Sequence, residues 1–168
     1  MRVDFIKHVD RSDSLLHKIA ELKKQHWDYP IEEHIRWTLA NLSDDDVHVC
    51  LYDEDEKHLI AYLNVVSVDY QIEGGPWLTG RGIGGVCVDK SSQNNQIGFL
   101  LTQLGTFVIR RARQSGFLFC RPHLIAFYES CRWYLYQGSL DVPDLKEPSF
   151  LFTMNPPDFV SIRFSKSF

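Results

Sequence analysis

The stretch VCVDKSSQNNQIGFLLTQLGTFVIRRA, residues 86–112, holds the change of period on which the reading of this chain turns. Val86-Cys87-Val88-Asp89 closes an apolar run of strand composition, and Lys90 to Asn95 is a polar loop. From there Ile97, Leu100, Leu101, Leu104, Val108 and Ala112 fall on one stripe, which predicts a helix over about 96–114. Arg110, Arg111 and Arg113 crowd its C-terminal end, where the helix dipole favours cations, and Gly116 suits the stop. Strand, polar loop and helix N-terminus together make an anion cradle, because unpaired N–H groups and the positive dipole end point at one spot. Gln93, Asn94, Asn95 and Gln96 are uncharged, so none of them repels a phosphate. An ordinary β–α loop has the same composition, and on this stretch alone it is the better reading.

Just upstream, Gly80-Arg81-Gly82-Ile83-Gly84-Gly85 matches G-x-G-x-x-G letter for letter. A dinucleotide fingerprint needs those glycines to follow a strand and open a helix. Here they precede VCVDK, which has no helical period. The expectation is a bulged entrance into a strand over Ile83–Val88, reached through a polar, glycine-rich excursion at 69–81.

Towards the N-terminus, residues 2–9 have strand composition, and Ser12 or Ser14 can cap the helix marked by Leu15, Leu16, Ile19 and Leu22. Pro30 is placed in the first turn of a second helix with Ile31, Ile35, Leu39 and Leu42 on one face, ended by Asp44–Asp46. Residues 47–52 and 58–68 flank the charged turn 53–57 and read as a hairpin. Towards the C-terminus come a strand at Phe117–Cys120, a helix from Pro122 through about Cys131, and β-rich stretches at 133–137 and 149–154 joined by a Pro/Gly/Asp linker. The tail 158–168 adds a strand or lies loose. Hairpins interrupted by helices point to an α+β fold, a mixed central sheet flanked by helices, rather than a regular β-α-β repeat.

At 168 residues the chain is expected to form a single domain over 1–168 that buries ~70% of the surface its unfolded form exposes. Lys and Arg number 18 against 22 Asp and Glu, a formal charge of −4, which argues against a dedicated nucleic-acid surface. No apolar run approaches the ~20 residues of a membrane helix, and the start MRVDFIKHVDRSDS is too charged for a signal peptide. Cys50, Cys87, Cys120 and Cys131 form no C-x-x-C pair, so reduced, buried thiols in a cytoplasmic protein are expected. The seven histidines show no ligand spacing, and no metal site is expected. A C-terminal strand left at a sheet edge could pair two chains as a homodimer.

The spacing Gln93-x-x-Gln96-x-Gly98, followed by Leu101, resembles the [RQ]-x-x-G-x-[GA] acyl-CoA motif of the GNAT N-acetyltransferases. Downstream, Ala126-Phe127-Tyr128-Glu129-Ser130-Cys131-Arg132-Trp133 resembles that family's second signature, F-Y-x-x-x-G-[FW]. The order of elements is similar to the GNAT acyl-CoA N-acyltransferase fold over residues 1 to about 154, with the specific motifs confined to 86–133. The C-terminal layout resembles that of aminoglycoside 2′-N-acetyltransferases. Two departures stand out: Gln96 and Arg132 occupy positions where the family has glycine. A side chain at 96 narrows the close backbone approach to a pyrophosphate that glycine permits.

The resemblance implies transfer of an acetyl group from acetyl-CoA to a primary amine of a small molecule, with an aminoglycoside-like polycation as one acceptor class. It implies that main-chain groups at Val86, Cys87 and Val88 meet the thioester and pantetheine arm. Gln93, Asn94, Gln96, Ile97 and Gly98 would then hold the pyrophosphate. Tyr128 aligns with the family tyrosine that protonates the leaving thiolate, a role that suits a phenol of pKa about 10. Glu73 stands where a family carboxylate could take the amine proton, with Asp69 and His123 as alternatives. Trp27, Tyr29, Trp37, Tyr70 and Trp77 are candidates to line an acceptor pocket. The competing expectation, drawn from Gln96 and Arg132, is a degenerate GNAT-fold binding or interaction module without catalysis. Dinucleotide binding through Gly80–Gly85 is the third and would require a helix directly after Gly85.

Overall fold

In a computed structural model the structure describes residues 1–93, 96–143, 150–153 and 160–168, with backbone only for 150–152. The first helix begins where the sequence places its cap. The Ser12 side chain accepts a hydrogen bond from the Leu15 N–H at 3.1 Å, opening α1, Asp13–Lys24. Leu15, Leu16, Ile19 and Leu22 are all buried, as their spacing predicts. The second helix, α2, is Ile31–Asn41, and Pro30 lies just outside its first turn as the N-terminal cap. Its ψ of 150° is extended, so the change of direction falls at Pro30 itself, while its carbonyl accepts from Glu33 and His34.

Nine strands are found among the described residues. β1 is Arg2–Lys7, β2 Val47–Tyr52, β3 Leu59–Ile72, β4 Trp77–Val88 and β5 Gly116–Cys120. β6 is Tyr134–Leu135, β7 Ser139–Asp141, β8 Phe150–Thr153 and β9 Ser161–Phe164. The remaining helices are α3, Ile97–Ala112, and α4, Ile125–Ser130. Hydrogen bonding orders the strands β1-β2-β3-β4-β5-β8-β6, with β9 beside both β3 and β7. The β1–β2, β2–β3, β3–β9, β5–β8 and β6–β8 pairs are antiparallel, whereas β4–β5 and β7–β9 are parallel. The sheet is mixed and carries helices, as expected.

The excursion expected at 69–81 is not one: β3 runs on to Ile72, β4 starts at Trp77, and only the turn around Glu73 and Gly74 separates them. The polar residues that suggested a loop alternate instead. Asp69 is exposed and accepts from the Thr79 hydroxyl at 2.9 Å, while Tyr70 between these polar positions is buried. β7 likewise replaces part of the expected linker, because Ser139–Asp141 pairs with Ser161–Arg163. The stop of α3 also differs. Arg113 takes the left-handed turn at φ 55°, which frees Gly116 to open β5 opposite Arg81.

All of Gly80–Gly85 lies inside β4, which removes the dinucleotide reading: a strand, not a helix, continues after Gly85. A Cβ at Gly80 would stand 2.8 Å from the Phe117 ring and 2.9 Å from the Ser115 carbonyl, and one at Gly82 would meet the Phe168 ring. These glycines admit aromatic side chains rather than a phosphate.

By its contacts the chain divides into two compact units, Met1–Val66 with Gly85–Gly105, and Ser67–Gly84 with Thr106–Phe168. The first has a core of Leu15, Ile19, Leu22, Cys50, Tyr52, Leu59, Tyr62 and Cys87, with Ile6 and Trp27 packed against it. The second is built on aromatic contacts: Tyr70 on Phe117, Phe117 on Phe164, and Phe119 on Phe164 and Phe168. There Trp133 is fully buried, its indole N–H donating to the Thr106 hydroxyl at 3.1 Å.

Candidate active site

In the first unit the end of β4 leads into a loop, described at residues 89–93 and at Gln96, and then into the start of α3. The β4–β5 ladder covers Arg81–Ile83 and ends there. Gly85 then turns to φ 61°, so the main chain of Val86–Val88 continues past the ladder. Two residues at the C-terminal end of α1 clamp the strand end and the loop. His26 Nε2 donates to the Val88 carbonyl at 2.8 Å. Gln25 donates to the Asp89 carboxylate at 2.8 Å and accepts from the Lys90 N–H at 3.0 Å. Hydrogen bonds from Ser91 and Gln25 hold the Asp89 carboxyl below its ordinary range, so the one acid of this loop is tied down. Gln93 is exposed and its amide reaches back to the Val88 carbonyl.

α3 has no acidic residue in its first turn. The Leu100 N–H donates to the Gln96 carbonyl at 3.0 Å, and the N–H groups of Ile97, Gly98 and Phe99 belong to the helix end that has no intrahelical acceptor. Gln96 stands at φ 59°. The departure from the glycine of the motif therefore keeps the left-handed backbone that glycine adopts at no steric cost. Of the residues expected here, Val86, Cys87, Val88, Gln93, Gln96, Ile97 and Gly98 are brought together in one unit, while Asn94 lies outside the described residues. The Cys87 side chain is buried and burial pushes its thiol up to about 12, so only its main chain is available for chemistry.

The second signature shows the same pattern in the second unit. After α4, Cys131 caps the helix and Arg132 takes φ 63°. The Arg132 N–H bonds Glu129 O at 2.9 Å and the Trp133 N–H bonds Tyr128 O at 3.1 Å, the paired 5→2 and 6→1 bonds of a Schellman turn. Tyr128 is buried against Phe127, and burial together with Cys120 and Cys131 pushes its phenol well above the ordinary range. Glu73 lies elsewhere in that unit, at φ 48° in the β3–β4 turn, and its carboxylate accepts from the Val160 N–H at 2.7 Å.

Of the five aromatics proposed to line a pocket, Tyr70 is core and donates to Ser115 at 3.0 Å. Trp77 is exposed. Trp27 and Trp37 stand around the Lys23 ammonium, and Tyr29 meets His34 edge-on. Two features near β4 have no counterpart in the motifs. One is Lys23 itself. The other is a buried chain, His8 Nδ1 to His48 Nε2 at 3.0 Å, His48 Nδ1 to the Tyr62 hydroxyl at 2.8 Å, and Tyr62 on to Asn64. The β2–β3 register pairs His48 with Asn64 and Cys50 with Tyr62, so a hairpin alignment could have put His48, Tyr62 and Asn64 on one face. Nothing local points to His8. Among the described residues no group of three or more His, Cys, Asp and Glu is placed to hold a metal, and no helix is long and apolar enough to cross a membrane.

Compared by sequence, the chain matches no protein-family profile and no curated protein. Compared by structure, it is similar to the Escherichia coli GNAT family N-acetyltransferase YhbS in complex with CoA, with TM-score 0.68 and 12% identity over 98% of this chain and 90% of that one. It is similar to Escherichia coli ElaA at TM-score 0.67 and 17% identity, over 92% and 100% of the two chains. The aminoglycoside 6′-N-acetyltransferase from Enterococcus faecium aligns at TM-score 0.65 and 15% identity, over 94% and 99%.

Proposed function

We propose that this chain, whose fold is that of the GNAT N-acetyltransferases, is one acyl-CoA-dependent acetyltransferase domain over residues 1–168. It moves an acetyl group from acetyl-CoA to a primary amine of a small molecule. The observation that carries the proposal is the left-handed Gln96 at the mouth of α3, on a loop reached from the part of β4 that runs beyond its register with β5. A backbone that keeps glycine's conformation without glycine is strained and persists only where the surrounding structure imposes it. The N–H groups of Gln93, Asn94, Gln96, Ile97 and Gly98 would hold the pyrophosphate, and main-chain groups of Val86, Cys87 and Val88 would meet the pantetheine and thioester. The amine nitrogen attacks the thioester carbonyl carbon, the C–S bond breaks, and the thiolate takes a proton. Tyr128 is the proposed donor, since burial keeps its phenol protonated at neutral pH. Glu73 is the proposed acceptor of the amine proton.

The reading of a binding module without catalysis rested on Gln96 and Arg132. With both in the backbone conformation glycine would take, only the Gln96 side chain still favours it.

Calorimetric titration with acetyl-CoA, with NAD as control, tests the proposal. Micromolar acetyl-CoA binding with no NAD signal is expected, and no binding at high ligand concentration would give the lead to the non-catalytic module. An amine panel beginning with an aminoglycoside then reads transfer. Tyr128→Phe should lower kcat by roughly 10²-fold with acetyl-CoA affinity unchanged. Glu73→Gln keeps an oxygen for the Val160 N–H and removes the base; a normal pH–rate profile in that variant would strike Glu73 from the mechanism.

A further inference from the structure

Beyond Ile83, no described strand pairs with the edge of β4 that carries β5 up to that point. Which main-chain groups face that edge follows from the alternation along a strand. The Asp89 N–H donates to the Ile60 carbonyl on β3 at 2.8 Å, so it points to the opposite side. The N–H and C=O of Val88, one residue earlier, therefore point to the free edge. An extended chain with amide groups of its own pairs with such an edge as an added strand. The Val88 carbonyl is the acceptor it meets.

That acceptor is already occupied. His26 Nε2 donates to it at 2.8 Å, and the Gln93 side-chain amide reaches it at 3.4 Å. A carbonyl oxygen has two lone pairs, so the two side chains between them fill both. His26 is the closer partner. It stands just past the Gln25 cap of α1, with its ring tilted against Trp27 at 5.8 Å between centroids. The loop after β4 does not depend on this bond for its attachment to α1. Gln25 already ties it twice, through the Asp89 carboxylate and the Lys90 N–H. His26 and Gln93 are both exposed, so either side chain can leave the carbonyl for water and find a new acceptor there. Exchanging a protein partner for water costs little for an exposed donor, whereas a buried one would be stranded. The contact opens cheaply.

We propose that His26, seconded by Gln93, is a latch on the Val88 carbonyl. It keeps the place of a pantetheine amide N–H in the ligand-free chain and swings out to solvent when the acyl-CoA arm arrives. The latch rests on the acetyltransferase reading, which supplies the arm. It makes the pantetheine half of CoA compete with side chains of the protein itself. The nucleotide half is left alone, because the N–H groups proposed for the phosphates lie further along the chain.

The test titrates CoA, and separately adenosine 3′,5′-bisphosphate, which carries no pantetheine, into the full chain and two variants. His26→Ala removes the ring, and His26→Phe keeps a ring beside Trp27 without the donor. Both should bind CoA about threefold to tenfold tighter than the parent, the worth of one hydrogen bond that no longer has to be broken. Both should bind the bisphosphate as the parent does. Equal or weaker CoA binding by the variants would overturn the latch and leave the acetyltransferase reading standing. Tightening of the bisphosphate to the same extent would overturn it too, since the effect would then lie outside the arm. So would tightening in His26→Ala with none in a folded His26→Phe, which would assign the effect to the bulk of the ring. Should one variant fail to fold, the other carries the comparison with the bisphosphate as its control. CoA bound by neither parent nor variants would strike the acetyltransferase reading and the latch together, and CoA bound by the variants alone would sustain both.

Discussion

Gln96 and Arg132 are the residues at which the sequence departs from its motifs, and both stand in the left-handed region, at φ 59° and 63°. A Cβ there crowds the following carbonyl at a cost of about 1–2 kcal/mol, partly offset because glycine loses more freedom on folding. Arg132→Gly should therefore raise stability by about 1 kcal/mol, read as a higher denaturant midpoint with an unchanged slope. A lower midpoint would mean that the Arg132 side chain carries a contact worth more than the strain. Gln96→Gly should stabilise by a similar ~1 kcal/mol and bind acetyl-CoA no more weakly than the parent. A clear loss of affinity would identify the Gln96 amide as a ligand to the pyrophosphate. The identities of both residues were visible in the sequence as departures, but their φ angles were not, because the backbone conformation of a single residue is set by the caps and turns around it.

Elements with a strong local period were legible: α1 and α3 match the stripes that predict them, and the β2–β3 hairpin has the turn its charges mark. The β3–β4 hairpin was missed, because polar residues on an exposed face and glycines under aromatic rings read as loop in one dimension. The loop after β4 depends on α1 in a way no spacing could reveal. Gln25 makes two hydrogen bonds to it, through Asp89 and Lys90, and Gln25→Ala should cost about 1–2 kcal/mol. The same variant should raise the Kd for acetyl-CoA, since the loop that presents Gln93 loses its tie to α1. Calorimetry beside a urea titration checks both, and an unchanged Kd would show that the clamp serves stability alone.

At the scale of the whole molecule, the response to acid is governed by two buried histidines. Burial, with His8, Arg11 and Lys23 adding positive charge, pushes His48 down to about 4, and burial lowers His8 in the same direction. Above pH 6.5 the His48 imidazole is neutral in both folded and unfolded chains and nothing is lost. As the pH falls from 6.5 towards 4, the unfolded chain takes up a proton that the fold refuses. Stability should drop through that window by roughly 3 kcal/mol for His48 alone and level off below it. Thermal unfolding at a series of pH values reads this directly. A flat profile from pH 7 to about 4 would mean that His48 is charged in the fold, against its burial between His8 and Tyr62.

The sequence by itself determined what depends on neighbours along the chain: the helices and their buried faces, the hairpin of β2 and β3, the polar loop that enters α3, and the two motifs that point to a GNAT fold. Tertiary structure alone decided which distant residues meet. It brought His8 to His48, set the Lys23 ammonium over the Trp37 ring, tied the loop after β4 to Gln25, and packed Phe117 and Phe168 over the glycines of β4. Period and propensity are local properties of the backbone, whereas desolvation and unpaired charge exist only once segments far apart in sequence exclude water together.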